Sequence, residues 1–235
     1  MSSVDELQRA FVLHSRPYRE TSLLVDLFTK NHGIVATIAK GVRGRKNSRR
    51  ALLQPFQPIL CRWRGRGELA TITDIDSNGS AYKLAKNELY SGLYVNELLM
   101  RLIHRHDPHE ILFEQYQNLL EQLQIENQLE PSLRSFEFSL LDELGYGLNL
   151  ALDVSGEDIK DALDYWLTPQ GVLQPINEIS ESHPRHFQGG LLNAVAQRKW
   201  HKPEVLGCAK RLIRLSLAPL IGDKPLQSRK LFRSK

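Results

Sequence analysis

The hydrophobic pattern of this chain changes period once, near residue 80, and that change limits the fold more than any other feature of its 235 residues. Before it lie five short apolar runs: Arg9 to His14, Ser22 to Thr29, Gly33 to Ala39, Phe56 to Trp63 and Glu68 to Asp74. They are rich in Val, Ile, Thr and Phe and are separated by Gly, Pro and Asn. Such runs are strands, because β-branched and aromatic side chains suit a pleated surface and the punctuating residues suit turns. Asn31-His32-Gly33 predicts a tight turn with Gly33 at positive φ, and Arg64-Gly65-Arg66-Gly67 predicts a hairpin tip. Five strands in so short a span match a small closed barrel such as an OB-fold.

Beyond residue 80 the spacing becomes helical. Tyr90 to His104 is broadly apolar, as a buried helix would be. Leu112, Tyr116, Leu119, Leu120 and Leu123 form one stripe within Pro108 to Leu123; Leu133, Phe136, Leu140, Leu141 and Leu144 form another within Pro131 to Leu144. Pro131 suits a first helical turn and Gly145 a C-terminal stop. Leu191 to Trp200 and Pro203 to Ala218 are helical again, with Pro219 expected to end the last helix or lie just beyond it. The fold class is therefore α+β: an N-terminal five-stranded OB-fold barrel over 1–80, then an α-helical domain over 81–235. The helical domain carries an irregular, cysteine-free insert at about 147–190.

Two cysteines, Cys61 and Cys208, exclude a disulfide scaffold and a zinc site of paired CxxC ligands. Both are expected to be buried small hydrophobes. The opening MSSVDELQRAFVLHSR has no apolar signal core, and no window is apolar enough to span a bilayer, so the expected location is cytoplasmic, away from membranes.

Charge is the next constraint. The net value of +4 decides little, but its distribution is uneven. Between Asp26 and Glu68 there is no acid, while Lys30, Lys40, Arg43, Arg45, Lys46, Arg49, Arg50, Arg62, Arg64 and Arg66 all fall in that interval. Six of these lie in KGVRGRKNSRR, residues 40–50. A solvated face normally mixes signs because like charges repel; a single-sign stretch points to a polyanionic partner. The candidate nucleic-acid-binding residues are Lys40, Arg43, Arg45, Lys46, Arg49, Arg50, Arg62, Arg64 and Arg66, with Trp63 either a platform for base stacking or a core tryptophan. Lys210, Arg211 and Arg214, followed by Lys224, Arg229, Lys230 and Arg233, either extend the same track or are helix-surface charges and a frayed tail.

Catalytic patterns are missing. No Gly-Lys pair supplies a phosphate loop of the Walker type. Gly65-Arg66-Gly67-Glu68-Leu69-Ala70 has the letters of a dinucleotide fingerprint, but it leads into Thr71-Ile72-Thr73, a strand, where the fingerprint must open a helix. In HRHDPHE (104–110) Pro108 breaks the helix on which a metal-binding His pair would need to sit, so the stretch reads as a helix end, a loop and a helix start. No GxSxG and no local Cys-His signature marks a nucleophile. The expectation is a binding protein, not an enzyme, with no cofactor and no metal. Phosphate contacts alone leave DNA and RNA open, so an RNA-binding OB-fold factor is the alternative.

The segments QRAFVLHSRPYRETSLLVDLFT, AKGVRGRKN, LQPFQPI, YSGLYVNELLMRL, LRSFEFSLLDELGYGLNL and GDKPLQSRKLF, in this order, resemble the bacterial RecO family of DNA repair and recombination mediators. The resemblance implies an N-terminal OB-fold followed by a helical domain, and binding of single- and double-stranded DNA. It implies annealing of complementary strands and, in the RecF pathway, loading of RecA with RecR onto strands coated by single-stranded-DNA-binding protein (SSB), without bond-breaking chemistry. Many members carry a four-cysteine zinc module; here 147–190 has no cysteine, so no zinc is expected, and Tyr165, Trp166 and Leu167 are expected to hold the segment by packing. The family also binds the SSB C-terminal tail, for which Arg134, Lys210, Arg211 and Arg214 are the candidates.

Overall fold

Period-two alternation decides which side chains fill the first half of the molecule. The structure, a computed structural model, describes residues 6–44, 48–65, 69–176 and 183–233. In chain order the first elements are β1 (Gln8–Tyr18), β2 (Ser22–Thr29), β3 (Gly33–Ala39), a single helical turn α1 (Arg49–Leu52), β4 (Pro58–Arg64) and β5 (Ala70–Ser77). The strands close into a barrel of order β1-β2-β3-β5-β4, antiparallel throughout except for the parallel β3–β5 pair. Val12, Val25, Leu27, Val35, Ile59, Cys61 and Trp63 point inward, and the β3–β4 connection adds Val42 and Leu53. This is the expected OB-fold. The turn at 31–33 is as predicted: Gly33 has φ 62, and Thr29 Oγ1 accepts from the His32 N–H and donates to the Gly33 carbonyl. A Cβ at Gly33 would also collide with the Asp107 carbonyl, so two constraints select glycine there.

One row of the barrel's outer wall is covered. Phe11 and Phe28 are cross-strand partners that face outward, and both are buried beneath α2 (Lys86–Leu102) and α3 (Glu110–Gln122). Phe113 and Tyr116 of α3 meet them at ring-centroid distances of 5.1–5.9 Å. β1 carries a bulge at Leu13. The Leu13 carbonyl accepts from Asn96 Nδ2, and the Tyr116 hydroxyl donates to Asn96 Oδ1 at 2.7 Å. Burial pushes the Tyr116 phenol far above its ordinary value, so it is a fixed donor. Gly92 brings α2 against the Phe56 ring, 2.8 Å from where a Cβ would stand.

Packing divides the chain into two units, Met1–Glu126 with Pro225–Lys235, and Asn127–Lys224. The sequence period changes near 80, yet α2 and α3 group with the barrel. The C-terminal segment returns to the same unit. Glu97 accepts from the N–H groups of Gln227 and Ser228 and from the Ser228 hydroxyl, at 2.7–2.9 Å, and Arg101 donates to the Pro225 carbonyl. The tail is thus held, not frayed, as it enters the 3-10 turn Ser228–Arg233.

The second unit contains α4 (Leu129–Glu143), β6 (Asp164–Leu167), β7 (Leu173–Ile176), β8 (His186–Gln188), α5 (Gly189–Ala196) and α6 (Pro203–Ile221). α6 packs against α4 and α5. Leu133, Phe136, Leu140 and Leu141 of α4 are buried as the stripe predicted. Gly145, at φ 79, stops α4, with the Tyr146 N–H bonded to the Leu141 carbonyl and the Gly145 N–H to that of Asp142. Two expectations are corrected. The stretch 147–190 is not merely irregular, since it holds the three-stranded sheet β7-β6-β8. Tyr165 and Leu167 are fully buried in it, as expected, and Trp166 is half-buried against His183. Pro219 does not end α6; the helix continues to Ile221 and stops at Gly222, φ 69. Its missing N–H removes one helical bond, to the Leu215 carbonyl, without breaking the axis.

Candidate nucleic-acid interface

Register places a second outward row two pleats away from the aromatic one. Arg16 pairs with Leu24, Leu24 with Ile38, Ile38 with Thr71, and Thr71 with Arg64. Directly paired residues point to the same face, so these five side chains line one track across all five strands. Four strand spacings of about 4.8 Å make it roughly 19 Å along the wall. Arg16 and Arg64 are exposed; Leu24, Ile38 and Thr71 are half-exposed. Between this row and the aromatic one lies His14–Asp26–Ala36, where the buried Asp26 carboxylate is paired with Arg105 at 3.2 Å. The acid-free field therefore begins where its last acid is already neutralised.

The connections that border the row add charge. The β1–β2 turn carries exposed Arg19, its guanidinium over the Tyr18 ring at 5.3 Å. The β3–β4 connection starts with exposed Lys40, is anchored inward by buried Val42, and is tied to the β1–β2 turn. There the Arg43 N–H reaches the Thr21 carbonyl, and Arg43 Nη1 donates to the carbonyls of Arg19 and Glu20 at 2.9–3.0 Å. Arg43 thus positions two loops while keeping its charge uncompensated. Arg49 and Arg50 are exposed on α1, a single helical turn. Among the described residues no carboxylate pairs with Arg16, Arg19, Lys40, Arg43, Arg50 or Arg64. Arg45, Lys46 and Arg66 lie outside the described residues.

Other cations of the interval are engaged. Arg62 is held by Asp74 across the β4–β5 ladder at 3.1 Å. Lys30 and Arg9 both meet Glu114 of α3 at 2.9 Å. The hydrogen bond from Lys30, with that from Arg9, holds the Glu114 carboxyl below its ordinary value against the opposing effect of burial. The stacking-platform reading of Trp63 is corrected. It is 2% exposed, inside the barrel and edge-on to His32, because Cys61-Arg62-Trp63-Arg64 alternates in, out, in, out.

The SSB-tail candidates change as well. Arg134 is 3% exposed and locked between Glu137 at 3.0 Å and Glu130 at 3.7 Å, so it cannot receive a carboxylate from solution. Lys210 is paired with Glu130. Arg211 lies over the Phe187 ring at 4.2 Å and donates to the His186 carbonyl. Arg214 alone of the four is exposed with no ion pair among the described residues. Neither cysteine is a reagent: burial raises the Cys61 thiol to about 12 and the Cys208 thiol to about 11. Sequence reasoning missed Arg16 and Arg19. They precede Asp26, outside the acid-free interval, and only the strand register brings them beside it.

An OB-fold barrel whose open wall carries cations that meet no carboxylate among the described residues defines a class of protein, a nucleic-acid-binding barrel. The comparisons narrow it. Residues 1–80 match the family described as Recombination protein O N terminal, and residues 87–230 match Recombination protein O C terminal. The chain is 43% identical over 228 residues to the DNA repair protein RecO of Pseudomonas paraeruginosa, covering 97% of this chain and 95% of that one. It is 41% identical over 232 residues to that of Actinobacillus succinogenes, covering 98% and 96%. The chain belongs to the RecO family of DNA repair and recombination proteins.

Proposed function

We propose that this protein is a cytoplasmic, nucleoid-associated mediator of the RecF pathway and performs no bond-breaking chemistry. In this reading it binds single- and double-stranded DNA, anneals complementary strands and, with RecR, helps place RecA on SSB-coated DNA. The observation that carries it is the track Arg16–Leu24–Ile38–Thr71–Arg64 with the neighbouring Arg19, Lys40, Arg43 and Arg50. Each such cation near a phosphate releases a condensed counterion, which gives affinity independent of sequence. Annealing needs no acid or base: two strands repel through their phosphates, and a surface that neutralises both lowers that barrier. The roles of RecR, RecA, RecF and the SSB tail in this reading are those that the family resemblance implies. Within the second unit only Arg214, of the four tail candidates, has its charge available.

The test is annealing of SSB-coated complementary strands by the intact protein and by a variant with Arg16, Lys40, Arg50 and Arg64 replaced by Ala. The intact protein should accelerate annealing and the variant should not; equal rates would overturn the reading. Competition by RNA of the same length separates this reading from an RNA-binding barrel, DNA being the stronger competitor here.

A further inference from the structure

The open wall has cations but almost no flat rings. After Phe28 the next aromatic residue in the chain is Phe56, and after Trp63 it is Tyr82. The whole of β3, the β3–β4 connection up to residue 55 with α1 inside it, the β4–β5 connection and β5 therefore contain no Phe, Tyr or Trp. Of the aromatic residues that bound these stretches, Phe28, Phe56 and Trp63 are buried, at 0%, 5% and 2%, and Tyr82 is half-buried beside Phe11 with its hydroxyl donating to Glu121. His32 is half-buried edge-on to Trp63. Only Tyr18 stands at the rim, half-buried, with the Arg19 guanidinium over its ring. The middle of the track is Leu24, Ile38 and Thr71, which offer a base neither a stacking plane nor a charged donor.

Barrels that hold single strands by their bases rely on aromatic platforms, each stacked base strengthening binding about fivefold or more. This wall is built otherwise. We infer that it grips the phosphodiester backbone and leaves the bases turned to solvent, so that its ligand class is the sugar-phosphate chain itself, with or without bases. The inference rests on the DNA-binding reading above and deepens it, because a strand whose bases are not stacked on protein presents them for pairing. Arg16 and Arg64, at the two ends of the track, are the contacts assigned to phosphates, with Arg19 and Lys40 beside the first. Affinity in this mode follows phosphate number and salt, not base identity.

The experiment compares the full-length protein binding an oligothymidylate and an oligonucleotide of equal length whose central residues are abasic, at several salt concentrations. The expected result is affinities within about threefold and equal slopes of log K against log salt. A loss of tenfold or more on the abasic strand overturns the inference while leaving DNA binding intact, and a Tyr18→Ala variant then shows whether that ring is responsible. Failure to bind either strand sinks the DNA-binding reading and this inference together. As an independent readout, 2-aminopurine in the bound strand should keep the emission of the free strand; a change of more than twofold indicates stacking and contradicts the inference.

Discussion

The outer wall of the barrel carries two rows of side chains, on the same strands and only two pleats apart, that meet opposite fates. In the first, Phe11 and Phe28 are sealed under Phe113 and Tyr116. In the second, Arg16, Leu24, Ile38, Thr71 and Arg64 face outward with no carboxylate among them. A single strand contributes to both: Leu24 and Phe28 of β2 are four residues apart and point the same way. Strand geometry is therefore not what separates a binding surface from a packing surface here. Charge separates them, since helices cover the wall where it is aromatic and stop where it becomes cationic. Asp26, paired with Arg105, marks the border.

The largest expected effects fall on buried groups. Phe28→Ala should cost about 3–5 kcal/mol in urea unfolding, whereas Leu24→Ala on the open row should cost about 1 kcal/mol or less. Equal costs would erase the distinction between the rows. Arg134→Ala should be as damaging, about 3–5 kcal/mol, because the buried Glu137 would lose its 3.0 Å ion pair. Replacing both Arg134 and Glu137 with apolar residues should recover much of that loss. Trp63→Phe should lower the unfolding midpoint yet change DNA affinity less than twofold at fixed salt; a tenfold loss of affinity would return Trp63 to the interface.

A smaller effect follows from the C-terminal clamp. Burial alone would raise the Glu97 carboxyl, but hydrogen bonds from Ser228 and Gln227, with the Arg101 charge, hold it below its ordinary value of 4.5. A carboxyl that titrates lower when folded stabilises the fold above that value, and the contribution is lost as pH falls through and below it. Amide exchange at Gln227 and Ser228, corrected for intrinsic rates, should therefore show less protection at pH 4 than at pH 7. Unchanged protection would mean that the carboxylate does not hold the tail.

Much of this was legible in the residues. Strands β2 and β3 lie where the apolar runs put them, and Gly33 and Gly145 take the positive φ that their positions require. The inward fate of Trp63 was also present in the alternation of CRWR, although its two neighbours are cations. What was not legible has physical reasons. Strands of three or four residues, as in β6, β7 and β8, show too few alternations to be recognised, and Pro175 within β7 argues against a strand. Arg16 and Arg19 join the interface through a register set by long-range pairing, which no local window contains. Arg134 has the appearance of a surface arginine until its helix is packed, and then Glu137, one turn on, takes its charge.

The most direct measurement is the salt dependence of single-strand binding, made side by side on the intact protein and on the Arg16→Ala, Lys40→Ala, Arg50→Ala, Arg64→Ala quadruple variant. If each of the four cations neutralises one phosphate, the slope of log K against log salt should become shallower by about 3. An unchanged slope, in a variant whose unfolding shows an intact fold, would contradict the claim that this wall is where the protein holds DNA.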